Sequence, residues 1–189
     1  MSINLIIILV VVVLVLIIIA IYNGLIQRVN RAKEAWADID VQLKRRYDLI
    51  PNLINTVKGA ASFESGTLEK VIQARNSAMN IHDHGDLNQI AASENILSGT
   101  LKSLFALAEN YPNLTATKNF ADLQMELSDT ENKIQAARRF YNSNVRDLNT
   151  AIQVFPSNLL AKLFSFKTMD LFTLGPDEEV AKNPVTVQF

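Results

Sequence analysis

The chain has no cysteine, two histidines and a single tryptophan in 189 residues. Without cysteine there is no disulfide or thiol chemistry, and the absence is compatible with either side of a membrane. The histidines, His82 and His84, lie two apart, and neither follows a glutamate by three residues. The Glu-x-x-His pairs of a di-iron carboxylate bundle are therefore missing. A serine nucleophile needs a neighbouring base, which so few histidines hardly supply. There is no Gly-rich phosphate loop, no Gly-x-Ser-x-Gly elbow and no His-Glu-x-x-His. The 18 basic and 19 acidic residues nearly cancel, so nothing suggests a nucleic-acid surface. Low-complexity tracts and convincing internal repeats are also absent.

Charge is missing altogether from one stretch. Leu5 to Ile21 is unbroken Leu, Ile, Val and Ala, and every Lys, Arg, Asp and Glu lies beyond it. At about 1.5 Å rise per residue, Ile3 to Tyr22 reaches roughly 30 Å, one bilayer core. A cleaved signal peptide would want a basic start and an Ala-x-Ala exit. Here Met1-Ser2-Ile3-Asn4 carries no Lys or Arg, and the exit reads Ile19-Ala20-Ile21-Tyr22-Asn23. The run predicts an uncleaved anchor, residues 1–22, that meets lipid through residues 3–22. Arg28, Arg31 and Lys33 follow it at once. By the positive-inside rule they predict a cytoplasmic body with the N-terminus outside; a periplasmic body is the alternative.

About 165 residues remain, enough for one domain with a real core. They read as long helices. Tyr22, Leu25, Val29, Ala32, Trp36, Ile39 and Leu43 step by three and four, one stripe of a helix that continues from the membrane. Pro51 predicts a break near Asp48, since proline suits a first turn and disfavours helix before it. A second helix would then start at Pro51 and carry Leu53, Ile54, Val57, Ala60, Ala61, Leu68, Val71, Ile72 and Met79. Asp83-His84-Gly85-Asp86 predicts a turn, with both histidines in a solvated loop. The third stripe is Leu87, Ile90, Glu94, Leu97, Leu101, Leu104, Ala108 and Tyr111. Its polar member, Glu94, is either at a solvated edge or paired. Pro112 ends that helix. A fourth runs from Lys118 to Phe155, with a 4-4 step at Ala137-Tyr141-Val145 that resembles a coiled-coil stutter, and Pro156 stops it. Short linkers make neighbours antiparallel. The fold class is therefore all-α: one transmembrane helix continuing into an antiparallel four-helix bundle.

Several motifs are specific. Val41-Gln42-Leu43-Lys44-Arg45-Arg46-Tyr47-Asp48-Leu49-Ile50-Pro51-Asn52-Leu53 resembles the signature of the LemA family. So do Val57-Lys58-Gly59, Ala74-Arg75-Asn76, Ala108 to Leu114, Glu131 to Ile134, Ala137-Arg138, Tyr141-Asn142 and Phe155-Pro156-Ser157-Asn158. The matches run in order over Tyr22 to Phe166. The resemblance implies a single-span protein of the bacterial cytoplasmic membrane with an α-helical bundle, 23–172; the tail, 173–189, falls outside the shared pattern. It implies no biochemical activity and no cofactor.

The motif positions Arg45, Asp48, Pro51, Asn52, Arg75, Glu109, Pro112, Glu131, Arg138, Tyr141, Asn142 and Pro156 are expected to be structural or partner-binding. Ion pairs and caps that fix helix register are the ordinary reading of the charged ones. A partner patch around Phe140, Tyr141, Asn142 and Arg138-Arg139 is the sharper one. The apolar stretch Phe155 to Phe172 either covers the end of the bundle, meets the membrane interface or meets another subunit. Pro184 to Phe189 alternates like a short strand, with a flexible tail as the alternative. Function follows by class: a non-catalytic, membrane-anchored scaffold that forms a homo-oligomer. The alternatives are an adaptor or sensor for a membrane protease or other membrane protein, and a metal-binding bundle enzyme. No Gly-x-x-x-Gly or polar residue glues the span, so self-association is expected from the soluble part.

Overall fold

The computed structural model describes residues 2–59 and 65–173. All regular structure in them is helical: α1 Ile3–Lys58, α2 Ser65–His84, α3 Leu87–Ala108, α4 Pro112–Thr115, α5 Lys118–Gln153 and α6 Ser157–Leu163. Helix α1 is continuous over 56 residues. Its apolar part has a mean hydropathy of 3.8 and buries nothing against the protein. A core helix of a water-soluble domain would be covered, whereas lipid demands a helix whose backbone groups are all satisfied within the segment.

Two units make up the described chain. Among the described residues the first is built on 2–38 and 137–171, the second on 39–59, 65–136 and 172–173. The boundary in α5 falls at the start of the expected stutter.

In the second unit, α1, α2, α3 and α5 contribute Ile39, Leu43, Ile50, Leu53, Val57, Val71, Leu97, Leu104, Leu127 and Ile134, all buried. Asp40 meets His82 and Tyr47 meets Arg75, so the partner's number falls as the first rises. The α1–α2 pair is thus antiparallel, as the short linkers predict. The α2–α3 turn is built by Gly85 and Asp86. A Cβ at Gly85 would lie 2.6 Å from the Ile81 carbonyl oxygen, so the close approach requires glycine. Asp86 caps α3 in a reciprocal box: Gln89 N–H donates to Asp86 Oδ1 at 2.9 Å and Asp86 N–H to Gln89 Oε1 at 3.1 Å.

Three expectations need correction. The break near Asp48 does not occur; α1 runs through Pro51 to Lys58, and α2 starts at Ser65. Leu53, Ile54 and Val57 thus belong to α1. The histidines are not in a loop but in the last turn of α2, and half-buried His82 has Nε2 2.8 Å from Asp40. Two short helices were not foreseen. Pro112 opens α4 because its missing N–H is no loss at a first turn, and Tyr111 before it leaves the helical region at φ −121°, ψ 78°. The other is α6, after the cis Phe155–Pro156 bond. Ala60, Ala61, residues 174–189 of the expected tail and its expected strand lie outside the described residues.

Candidate functional site

Two of the motif stretches, through Arg46-Tyr47 and Glu131, meet at one guanidinium in the second unit. Arg46 is 1% exposed. Its Nη1 donates to Ser98 Oγ at 2.8 Å and to Glu131 Oε2, and its Nη2 donates to Glu94 Oε2. The Tyr47 hydroxyl donates to the other Glu94 oxygen. Ser98 stands 3.2 Å from Glu131, one helical turn beyond Glu94. Side chains from α1, α3 and α5 thus meet around one cation with two carboxylates. Glu94 is 5% exposed and Glu131 29%, so the cluster has a dry and a wet end. A cleft of about 280 Å³ opens at the wet end, between Lys102, Phe105, Asn132 and Gln135.

Burial pulls the Arg46 guanidinium below the ordinary arginine value, against the pull of Glu131. Burial also pushes the Tyr47 phenol up to about 12; Arg46 opposes this, while Asp40 and Asp83 add to it. The phenol therefore stays protonated in the fold through pH values where an unfolded tyrosine ionises. Stability is intact below pH 10 and is lost as pH rises toward about 12, by about 3 kcal/mol at about 1.4 kcal/mol per unit. Chemical denaturation of the full-length protein in detergent between pH 9 and 12 should show this fall. Tyr47→Phe should reduce it, leaving the smaller part due to Tyr141, which burial and then Asp170 raise in the same sense.

Why α1 survives Pro51 is visible beside the cluster. Proline has no N–H for the carbonyl four residues back, here that of Tyr47. Arg75 of α2 fills the vacancy: its Nε donates to the Tyr47 carbonyl oxygen at 2.7 Å. Two motifs far apart in sequence are thus one hydrogen bond.

The other motif positions are scattered. Arg45 is on the surface, 2.7 Å from Glu126. Asp48, Pro51 and Asn52 are exposed on α1, and Pro112 and Glu109 are exposed beside the end of α3. Glu131 joins the cluster. Arg138 is buried, and Asn142 is half-buried. Pro156 precedes α6. Sequence reasoning placed Arg45 among the site residues and left out Arg46. Yet Ile39, Leu43, Arg46, Ile50, Leu53 and Val57 keep the 3-4 spacing without a gap, and that was the available signal. Among the described residues, no three His, Cys, Asp or Glu side chains gather as a metal site would require.

In the first unit, Tyr141 is buried with its ring 5.6 Å from Trp36. Its hydroxyl donates to the Asp170 carbonyl at 3.0 Å. Asn149 makes a two-way bond with the Met169 backbone, at 2.8 and 2.9 Å. The segment after α6 is thereby strapped to α5. The turn between them is strained: Ser165, not glycine, sits at φ 56°. The N–H of Phe166 bonds to Ala161 and that of Ser165 to Lys162, a Schellman closure.

Comparison with known proteins gives one matching family and relatives of two names. The LemA family profile matches residues 35–189. Protein LemA of Metamycoplasma hominis is 28% identical over 84% of this chain and 71% of its own length. Magnetosome protein MamQ of Magnetospirillum gryphiswaldense is 22% identical over 82% of this chain, and magnetosome protein MamQ 2 of Paramagnetospirillum magneticum is 20% identical over 82%. The chain spans 65% of each MamQ protein, just under two thirds.

Proposed function

Because the chain belongs to the LemA family and carries an apolar helix long enough to cross a bilayer, we propose that it is a membrane-anchored, non-catalytic helical scaffold that self-associates through its soluble part. The observation that carries the non-catalytic reading is the mutual bonding of the polar side chains around Arg46. Arg46, Tyr47, Glu94, Ser98 and Glu131 bond one another, and Arg75 bonds backbone. Such a network favours a single helix register, a specificity role rather than a reactive one. Self-association draws support from apolar side chains in water outside the span: Val41, Ile96, Met125 and Phe140 are 55–68% exposed. An anchor also confines copies to one plane, which lowers the orientational cost of meeting. Mass measurement of the full-length protein in detergent and in lipid nanodiscs tests this. A homo-oligomer is expected; a strict monomer in both, at high concentration, would end the scaffold reading.

The body is proposed to face the cytoplasm. Outside the span the first unit carries eight Lys and Arg against four Asp and Glu, in a chain whose net charge is −1. Basic residues next to a span are the ones retained inside. An alkaline phosphatase fusion at Phe189 should be inactive, and high activity would put the body on the periplasmic side.

A further inference from the structure

Tyr22 closes the apolar run, and the chain returns to it at the other end of the first unit. The rings of Phe164 and Phe166 stand edge-on to Tyr22 at 4.9 and 5.8 Å. Aromatic side chains at the end of a span favour the boundary between lipid and water. The contact, fixed by the left-handed turn at Ser165, therefore holds α6 at the level of that boundary. Helix α6 does not turn its apolar side chains inward. Ala161 is buried, but Phe155, Leu159 and Leu163 are 78%, 62% and 71% exposed. Leu159 and Leu163, four apart on α6, share one face as a short row, and Phe155 lies in the turn just before the helix.

At the start of α6, bordered by Phe155, Pro156 and Ser157, lies a groove of about 700 Å³, with Ala20, Gly24, Arg28 and Arg31 from α1 and Asp147 from α5 also in its lining. Arg28 folds back toward the membrane, and its Nη1 donates to the Gly24 carbonyl at 3.0 Å. The guanidinium is thus at the height of Gly24, about 3 Å beyond Tyr22 along the axis. The headgroup layer is roughly 5–8 Å deep on each side of the hydrocarbon. Among the described residues neither Arg28 nor Arg31 is ion-paired. Asp147 is the one carboxylate in the lining, so two cations leave it net positive. Lys162 and Lys167 are exposed close by in sequence.

We infer that this groove takes the headgroup of an anionic phospholipid from the leaflet the span enters, with Arg28 and Arg31 on the phosphate and Phe155, Leu159 and Leu163 in the acyl boundary. The occupant follows from continuity: the groove begins at Ala20, inside the span itself. An amphipathic segment beside basic residues is what a charged lipid surface attracts. The inference rests on the membrane-anchored reading and is independent of self-association.

The absence of native cysteine allows a spin label at Leu163→Cys, with Met125→Cys as an exposed reference and Leu14→Cys as a control in the span. The full-length protein is placed in nanodiscs of phosphatidylcholine alone or with phosphatidylglycerol. Depth is read from oxygen against nickel-chelate accessibility. The label at position 163 should be immersed in the anionic discs and more aqueous in the neutral ones. Arg28→Gln with Arg31→Gln should lower the ratio of immersed to aqueous label about 30-fold in anionic discs, at about one tenfold step per 1.4 kcal/mol and about 1 kcal/mol per basic residue. An aqueous label in both lipids overturns the inference. So does equal immersion in both lipids, which removes the arginines from any role. Spin–spin broadening at position 163 without immersion also overturns it, since a second copy would then cover the row. An aqueous label at position 14 would instead sink the anchored reading itself. A monomeric disc with position 163 immersed would sink self-association and leave this site standing.

Discussion

Arg46→Met is expected to lower the unfolding free energy of the full-length protein in detergent by about 3–5 kcal/mol, whereas Arg45→Ala should cost no more than about 1 kcal/mol. The two residues are neighbours with the same charge. Their difference is solvent. Arg45 and Glu126 are each 42% exposed, so water and salt compete for both ends of that pair. Arg46 is 1% exposed and holds two carboxylates, one of them almost dry. Methionine fills much the same volume, so the loss reports charge and hydrogen bonding rather than a cavity. It leaves Glu94 and Glu131 facing each other with their cation gone. Replacing Arg46, Tyr47, Glu94 and Glu131 together by apolar residues of like size should recover most of the loss, because no buried charge is then left unpaired. Urea denaturation of the three variants decides it. An Arg46→Met protein as stable as the parent would mean that the cluster does not hold the fold.

Arg75→Ala is expected to cost about 1–3 kcal/mol, because the Tyr47 carbonyl loses its donor where water has little access. In a Pro51→Ala background the same change should cost clearly less. Alanine restores the backbone N–H that belongs to that carbonyl, so the helix closes its own ladder and no longer needs the guanidinium. The double-mutant cycle should therefore show a coupling of about 0.5–3 kcal/mol. Additive effects would show that Arg75 stabilises the protein by some other contact.

That bond also explains what could be read from the chain and what could not. Helices α3 and α5 were legible because their stripes and stops are local: the Asp83–Asp86 turn before Leu87, Pro112 after the third stripe and Pro156 after the fourth, although α3 ends at Ala108 rather than Tyr111 and α5 at Gln153 rather than Phe155. The end of α1 was not, because the usual effect of Pro51 is offset by a side chain from another helix. The misplaced break had a further effect. It ended the apolar stripe at Leu43 and hid the fact that Arg46 occupies the next inward position. Glu94 stood out as the polar member of its stripe, but a single stripe does not name a partner. Helix α6 escaped notice for another reason. Seven residues are too few for a period, and its apolar row faces outward, where a pattern sought for a core does not apply.

The continuity of α1 at Pro51 is conditional. A helix normally keeps its shape by bonds within itself, but here one rung of the ladder is lent by α2. Undocking of α2 withdraws that rung and leaves the proline to break the helix. Local opening of α2 and fraying of α1 beyond Tyr47 then become one event with one free energy, a shared cooperative unit. The amides of Leu53 and Ile54 would exchange with solvent at the pace of α2, though they belong to another helix.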